Sequence, residues 1–112
     1  MLNWHAACEN CRALGMEMAI IASISEQRDF NSAINSQAPH LDQLWVGLND
    51  LKTEGRFLWV DGSRPRFHNW APGQPDNHRG EEHCVQVLPP LQYRWNDILC
   101  DYQLHYVCQF YE

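Results

Sequence analysis

No apolar run in this 112-residue chain approaches the roughly 20 residues that span a bilayer, and no charged segment leading into an apolar stretch opens it. Membrane insertion is therefore not expected. A cluster of Lys and Arg is missing too. With a formal charge of -6 and a pI of about 5.4, the chain repels phosphate backbones and anionic bilayers, so nucleic acid is not an expected partner. Nor does any Cys-x-x-Cys pair repeat. Cys8 and Cys11 have nothing similar downstream, and no His pair completes a zinc pattern, which disfavours structural zinc.

What is present is one core's worth of apolar residues. At 45% hydrophobic and 112 residues, the chain reads as a single domain over 1–112. Five cysteines in so short a chain point to an oxidising compartment, and the odd count leaves at least one without an intramolecular partner.

Residues 3–14 read as an amphipathic helix, because Trp4, Ala7, Cys8, Cys11 and Leu14 recur at three- and four-residue intervals. Asn3 is its expected N-cap and Gly15 its stop. A second helix is expected after Ser25 as N-cap, with Phe30, Ala33 and Ile34 turned inward and Pro39 beyond its end; no Glu or Gln stands at its third position to close a capping box. After Pro39 the chain changes character. Residues 44–48, 57–60, 84–88, 93–95 and 104–110 are short, aromatic or β-branched, and set off by turn formers, so they read as strands. Two helices followed by short strands give an α+β fold. Residues 62–82 hold few strand formers and much Pro, Gly, Asn, His and charge; with an indole and prolines, a loop of this length is expected to be ordered and functional.

Several of these segments match one known family in order and over nearly the whole chain. They are Trp4 followed by Cys11-Arg-Ala-Leu-Gly15; Trp45-Val-Gly-Leu48; Phe57-Leu-Trp59-Val-Asp-Gly62; Asn69-Trp70 leading into Gln74-Pro-Asp76; and Trp95-Asn-Asp97 followed by Cys100 and Cys108. In these the sequence resembles the C-type lectin-like domain. The resemblance implies two helices packed on short antiparallel sheets with a long calcium-binding loop. It also implies disulfides Cys11 to Cys108 and Cys84 to Cys100. Cys8 is left over, either as a small buried hydrophobe or as a thiol bridging two molecules. Family members usually carry a strand before the first helix, and this chain starts almost at the helix. The resemblance thus implies a fragment or a trimmed start, with the edge at residues 106–110 unpaired.

By the same resemblance Gln74, Asp76, Glu82, Asn96 and Asp97 are the ligands of a sugar-binding calcium ion. Calcium takes about six to eight oxygen ligands, and these residues offer side-chain oxygens from two segments that the second disulfide would hold together. In the family Pro75 follows a cis peptide bond. Two neighbouring sugar hydroxyls replace water on such an ion, each donating a hydrogen bond to a carboxylate and accepting one from an amide. Glu-Pro-Asn goes with mannose-like sugars and Gln-Pro-Asp with galactose-like sugars, so the implied ligands are galactose-containing glycans bound through Gln74, Asp76, His78, Glu82 and Asn96. His78 enters because many Gln-Pro-Asp relatives place a Trp platform just after the motif, where this chain has Asn77-His78-Arg79-Gly80-Glu81. A smaller, wetter imidazole implies weak single-site binding; a solvated loop histidine is the alternative.

A second calcium in the family would use Asp50, Glu54, Asn77 and the residue after Glu82. Here that residue is His83 in place of an acid. The remaining tryptophans, Trp45, Trp59, Trp70 and Trp95, are expected in the core rather than as a sugar platform. Glu81, Glu82 and His83 could form an acid/base cluster, but no nucleophile motif accompanies them and ion ligation accounts for the acids, so no enzyme is expected. The alternative function is a lectin-like domain recognising a protein or other non-sugar ligand, with calcium structural only. Secretion, or the ectodomain of a membrane protein, is the expected setting, with self-association into a homo-oligomer a further option.

Overall fold

The computed structural model describes residues 1–76 and 80–111. Helix α1 (Trp4–Ala13) begins where the Asn3 side chain accepts a hydrogen bond from the Ala6 amide, and it ends at Leu14. Gly15 then takes φ 73°, a left-handed conformation that is cheap for glycine. Its buried face is Trp4, Ala7, Cys8 and Cys11.

Helix α2 (Ile24–Gln37) starts two residues earlier than the Ser25 cap implied. Ser23 is the N-cap: its Oγ accepts from the Glu26 amide at 3.1 Å, and the Glu26 carboxylate reaches back to the Ala22 amide at 3.5 Å. Counted from Ser23, Glu26 is the third helical residue, so the capping-box acid is present after all. The expected inner face is corrected in part, for Phe30 packs against the core as read and Ala33 does not. Ala33 is exposed, Phe30 and Ile34 are half-buried, and the fully buried residue of α2 is Gln27.

The strands are β1 (Glu17–Met18), β2 (Leu44–Asn49), β3 (Cys84–Leu88), β4 (Arg94–Ile98), β5 (His105–Tyr106) and β6 (Cys108–Gln109), with a short 3-10 turn Pro89–Leu91 joining β3 to β4. One sheet runs β4-β3-β2-β5 and the other pairs β1 with β6. The pairing of β2 with β5 is parallel, so the sheet is mixed rather than purely antiparallel. Residues 57–60 do not form a strand; Leu58 alone bridges Asn49. Nor do residues 106–110 present an open edge. Tyr106 pairs with Trp45, and β6 is covered by the two-residue β1, Met18 against Cys108 and Glu17 against Gln109. Ahead of α1, Leu2 bridges Leu104 through two backbone hydrogen bonds.

β2 is buried from Leu44 to Leu48 and lies between two apolar clusters. Alternation along the strand sends Trp45 into the cluster under α1 and Val46 and Leu48 into the other. Trp45, Trp59 and Trp95 are core residues, at no more than 2% exposure; Trp70 is half-buried. The Trp4 indole donates to the Val46 carbonyl at 2.9 Å and the Trp45 indole to the Leu2 carbonyl at 3.0 Å.

Cys11–Cys108 ties α1 to β6 across 97 residues, and Cys84–Cys100 closes the β3–β4 hairpin at its open end. Cys8 is buried with a free thiol. Alkylation of the native protein is therefore expected to leave Cys8 unmodified, and alkylation after denaturation without reductant to label Cys8 alone. Peptide mass mapping reads this directly; Cys8 in a bridge would overturn the helix register.

Candidate functional site

The loop after residue 62 is not loose over its first half. The Trp95 amide donates to the Asn69 carbonyl at 2.8 Å, the Ala71 amide donates to the Trp95 carbonyl at 2.8 Å, and the Asn69 side chain donates to the Tyr93 carbonyl at 3.0 Å. Residues 69–71 thus lie along β4 like a short extra strand. Trp70 packs edge-on against Trp95 (5.6 Å) and Phe57 (5.1 Å), while Phe67 packs on Trp95 at 5.8 Å. The Gln74 amide donates to the Ala71 carbonyl at 2.9 Å, and the Gln74–Pro75 peptide bond is cis.

From this anchored base the chain reaches the end of β4. The Asp76 amide donates to Asp97 Oδ1 at 3.1 Å. Carboxylate oxygens of Asp76, Glu82 and Asp97 all lie within 4.8 Å of one another. Burial is graded across them: Asp76 is exposed, Glu82 half-buried and Asp97 fully buried. The antiparallel register of β3 and β4, Cys84 opposite Ile98 and Val85 opposite Asp97, brings the Glu82 and Asn96-Asp97 segments together, and Cys84–Cys100 ties their ends.

Two residues near these acids in sequence, Gln74 and Asn96, carry side-chain amides. Gln74 Oε1 is buried and has no hydrogen-bond partner among the described residues; the other such atom, Trp59 Nε1, lies in the core. A buried carbonyl oxygen left unmatched costs roughly 1–3 kcal/mol, which a ligand can offset. Asn96 Nδ2 donates to Gln86 Oε1 at 2.9 Å, which turns its amide oxygen away from Gln86. Gln86 is held in turn by Gln43, to whose Oε1 it donates at 2.9 Å. Gln86 was not anticipated from the sequence, although a glutamine inside the apolar run Cys84–Leu88 was the available signal, because a buried amide must find partners on both sides. Carboxylate and amide oxygens, without sulfur or imidazole, suit a hard cation.

At Asp50 and Glu54 the structure shows a different arrangement. His83 Nδ1 lies 3.1 Å from Asp50 Oδ1 and 3.5 Å from Glu54 Oε1, and the Gly55 amide donates to Asp50 Oδ2 at 2.9 Å. An imidazole thus joins the two carboxylates, and ligand atoms of the three side chains all lie within 4.8 Å of one another. Asn77 and His78, the remaining second-ion and sugar-contact candidates, lie outside the described residues.

The Lectin C-type domain family matches residues 1–110. Perlucin from Haliotis laevigata is 40% identical over 103 residues, covering 88% of this chain and 64% of perlucin, so the chain spans just under two thirds of that relative. Salivary C-type lectin 2 from Aedes albopictus is 32% identical over 95% of the chain and 76% of its own length. Among solved structures, the C-type lectin CEL-I from Cucumaria echinata superposes with a TM-score of 0.85 at 31% identity, over 95% of this chain and 81% of that one.

Proposed function

Since the chain belongs to the family of Lectin C-type domains, a carbohydrate-binding and non-enzymatic fold, we propose that it binds galactose-type sugars at a calcium ion held by Gln74, Asp76, Glu82, Asn96 and Asp97. The observation that carries the proposal is the convergence of the Asp76, Glu82 and Asp97 oxygens within 4.8 Å, supported by the buried oxygen of Gln74, two residues before Asp76, which has no partner among the described residues. When bound, the ion offers coordination positions to two neighbouring sugar hydroxyls. The protein's own groups then decide which sugar fits. Asp76 and Glu82 accept hydroxyl protons; Gln74 and Asn96 donate amide N–H to hydroxyl oxygens while their carbonyls face the ion. Gln86 fixes Asn96 in the orientation this requires. Asp50, Glu54 and His83 form a second cluster whose ligand atoms lie within 4.8 Å of one another, with an imidazole where a further acid would add charge, and the sugar reading rests on the first cluster alone.

Two disulfides fit an extracellular setting, as does the description of one relative as salivary. No helix among the described residues is long and apolar enough to cross a membrane.

The order of amide and acid is the specificity element. Replacing Gln74→Glu together with Asp76→Asn keeps the formal charge of the site and exchanges which hydroxyl meets a donor and which an acceptor. A mismatched pair leaves buried polar groups unsatisfied at roughly 1–3 kcal/mol each, so preference is expected to move from galactose toward mannose by about tenfold or more, with calcium binding retained. Competition of immobilised-galactose binding by the two free sugars measures it. Identical competition profiles for the two proteins would refute the galactose reading.

A further inference from the structure

A groove of about 370 Å³ is lined in part by Arg56, Arg64, His68, Phe57, Trp70 and Pro75, the last bonded to Asp76 of the carboxylate cluster. Its charge is opposite to that of the whole molecule. The chain carries a net charge of -6 and only eight Lys and Arg, yet two of the arginines face this one space. Both are exposed, and neither takes part in an ion pair among the described residues. The indole of Trp70 and the ring of Phe57, 5.1 Å apart, supply aromatic surface against which the apolar face of a sugar ring can pack. A guanidinium is a planar fork of N–H donors that matches a sulfate or carboxylate in bidentate fashion. Pro75 ties the groove to the ion site, because it lines the groove and is bonded to both Gln74 and Asp76.

The volume falls in the lower part of the usual range for small-ligand sites, about 300–1,000 Å³. Long polyanions and anionic bilayers would meet the repulsion of the surrounding surface, whereas a single charged substituent would meet only the local arginines. We propose that this groove is a second subsite, taking an anionic substituent, a sulfate ester or a carboxylate, on the sugar residue next to the one at the ion. The placement of that first residue rests on the galactose reading above.

The test uses the intact chain in calcium and three disaccharides ending in galactose, whose second residue is unsubstituted, sulfated or a uronic acid. The anionic ligands are expected to bind about tenfold more tightly than the unsubstituted one at about 0.05 M salt, with the advantage shrinking at about 0.5 M. A gain confined to one anion supports the subsite and names its substituent. In the Arg56→Gln/Arg64→Gln protein the advantage is expected to vanish while unsubstituted disaccharide binds as before. Equal affinities for all three ligands in the parent protein, or an advantage that survives in the double variant, would overturn the subsite and leave the galactose reading standing. Failure of every galactoside to bind in calcium would instead overturn the galactose reading, and the subsite with it.

Discussion

An Asp97→Asn protein is expected to fold and to lose its stabilisation by calcium. The substitution preserves volume at a site with no solvent exposure, and an amide oxygen can still accept the Asp76 N–H that Asp97 accepts at 3.1 Å. What it removes is the most buried of the clustered carboxylates. Changes to groups that merely support metal ligands cost roughly 10–100-fold in affinity, so loss of a charged ligand should exceed about 100-fold. At calcium equal to 100 times the parent dissociation constant, the parent gains about 2.7 kcal/mol, whereas a 100-fold weaker site gains only about 0.4 kcal/mol. For a domain of this size that is a rise in Tm of about 10 °C against less than about 2 °C. Thermal unfolding with calcium and with chelator reads the difference. Equal shifts in the two proteins would remove Asp97 from the ligand set.

Replacing Trp95 with alanine is expected to bring the domain close to unfolding. Trp95 is fully buried, with the rings of Trp59, Trp70 and Phe67 edge-on at 5.6–5.8 Å, and its indole donates to Gln27 Oε1 at 2.9 Å. Loss of the side chain costs roughly 3–5 kcal/mol in transfer and cavity terms. Gln27, 2% exposed, is left with an unmatched acceptor at roughly 1–3 kcal/mol more. The total, about 4–8 kcal/mol, is comparable to the whole stability of an ordinary domain, roughly 5–15 kcal/mol. Trp95→Phe isolates part of this, since it keeps an aromatic ring and loses the donor. Adding Gln27→Leu to Trp95→Phe is expected to recover part of the loss, because it removes the stranded Gln27 acceptor, and only part because the Gln27 Nε2 bond to Asn31 Oδ1 goes with it. Denaturation midpoints measure the series. A Trp95→Phe protein as stable as the parent would show that this bond does not hold α2 to the sheet.

Much of the architecture was legible because its signals are local. β3 has the bounds read from its apolar residues, and α1 begins and ends at the expected cap and glycine. The start of α2 was misplaced because two serines compete there. The absence of an acid three residues after Ser25 was the clue that Ser23 is the cap. β4 extends past Trp95 to Ile98 through Asn96 and Asp97, polar residues that hydrophobic alternation cannot include in a strand. β1 has two residues, too few for any period, and the parallel pairing of β2 with β5 joins segments some 60 residues apart, which only the folded topology reveals. The carboxylates were legible through a motif that spans the chain. The amides behind them, Gln86 and Gln43, were not, because a glutamine in a strand carries no sign of its partner.

A calcium ion held by Gln74, Asp76, Glu82, Asn96 and Asp97, with a galactose-type sugar bound to it, makes retention on a sugar resin depend on the ion. The most direct measurement is retention of the protein on immobilised galactose in calcium, followed by elution with chelator. Retention in calcium, release on chelation, and rebinding when calcium is restored are expected. Retention that persists in excess chelator, or no retention in saturating calcium, would contradict this reading.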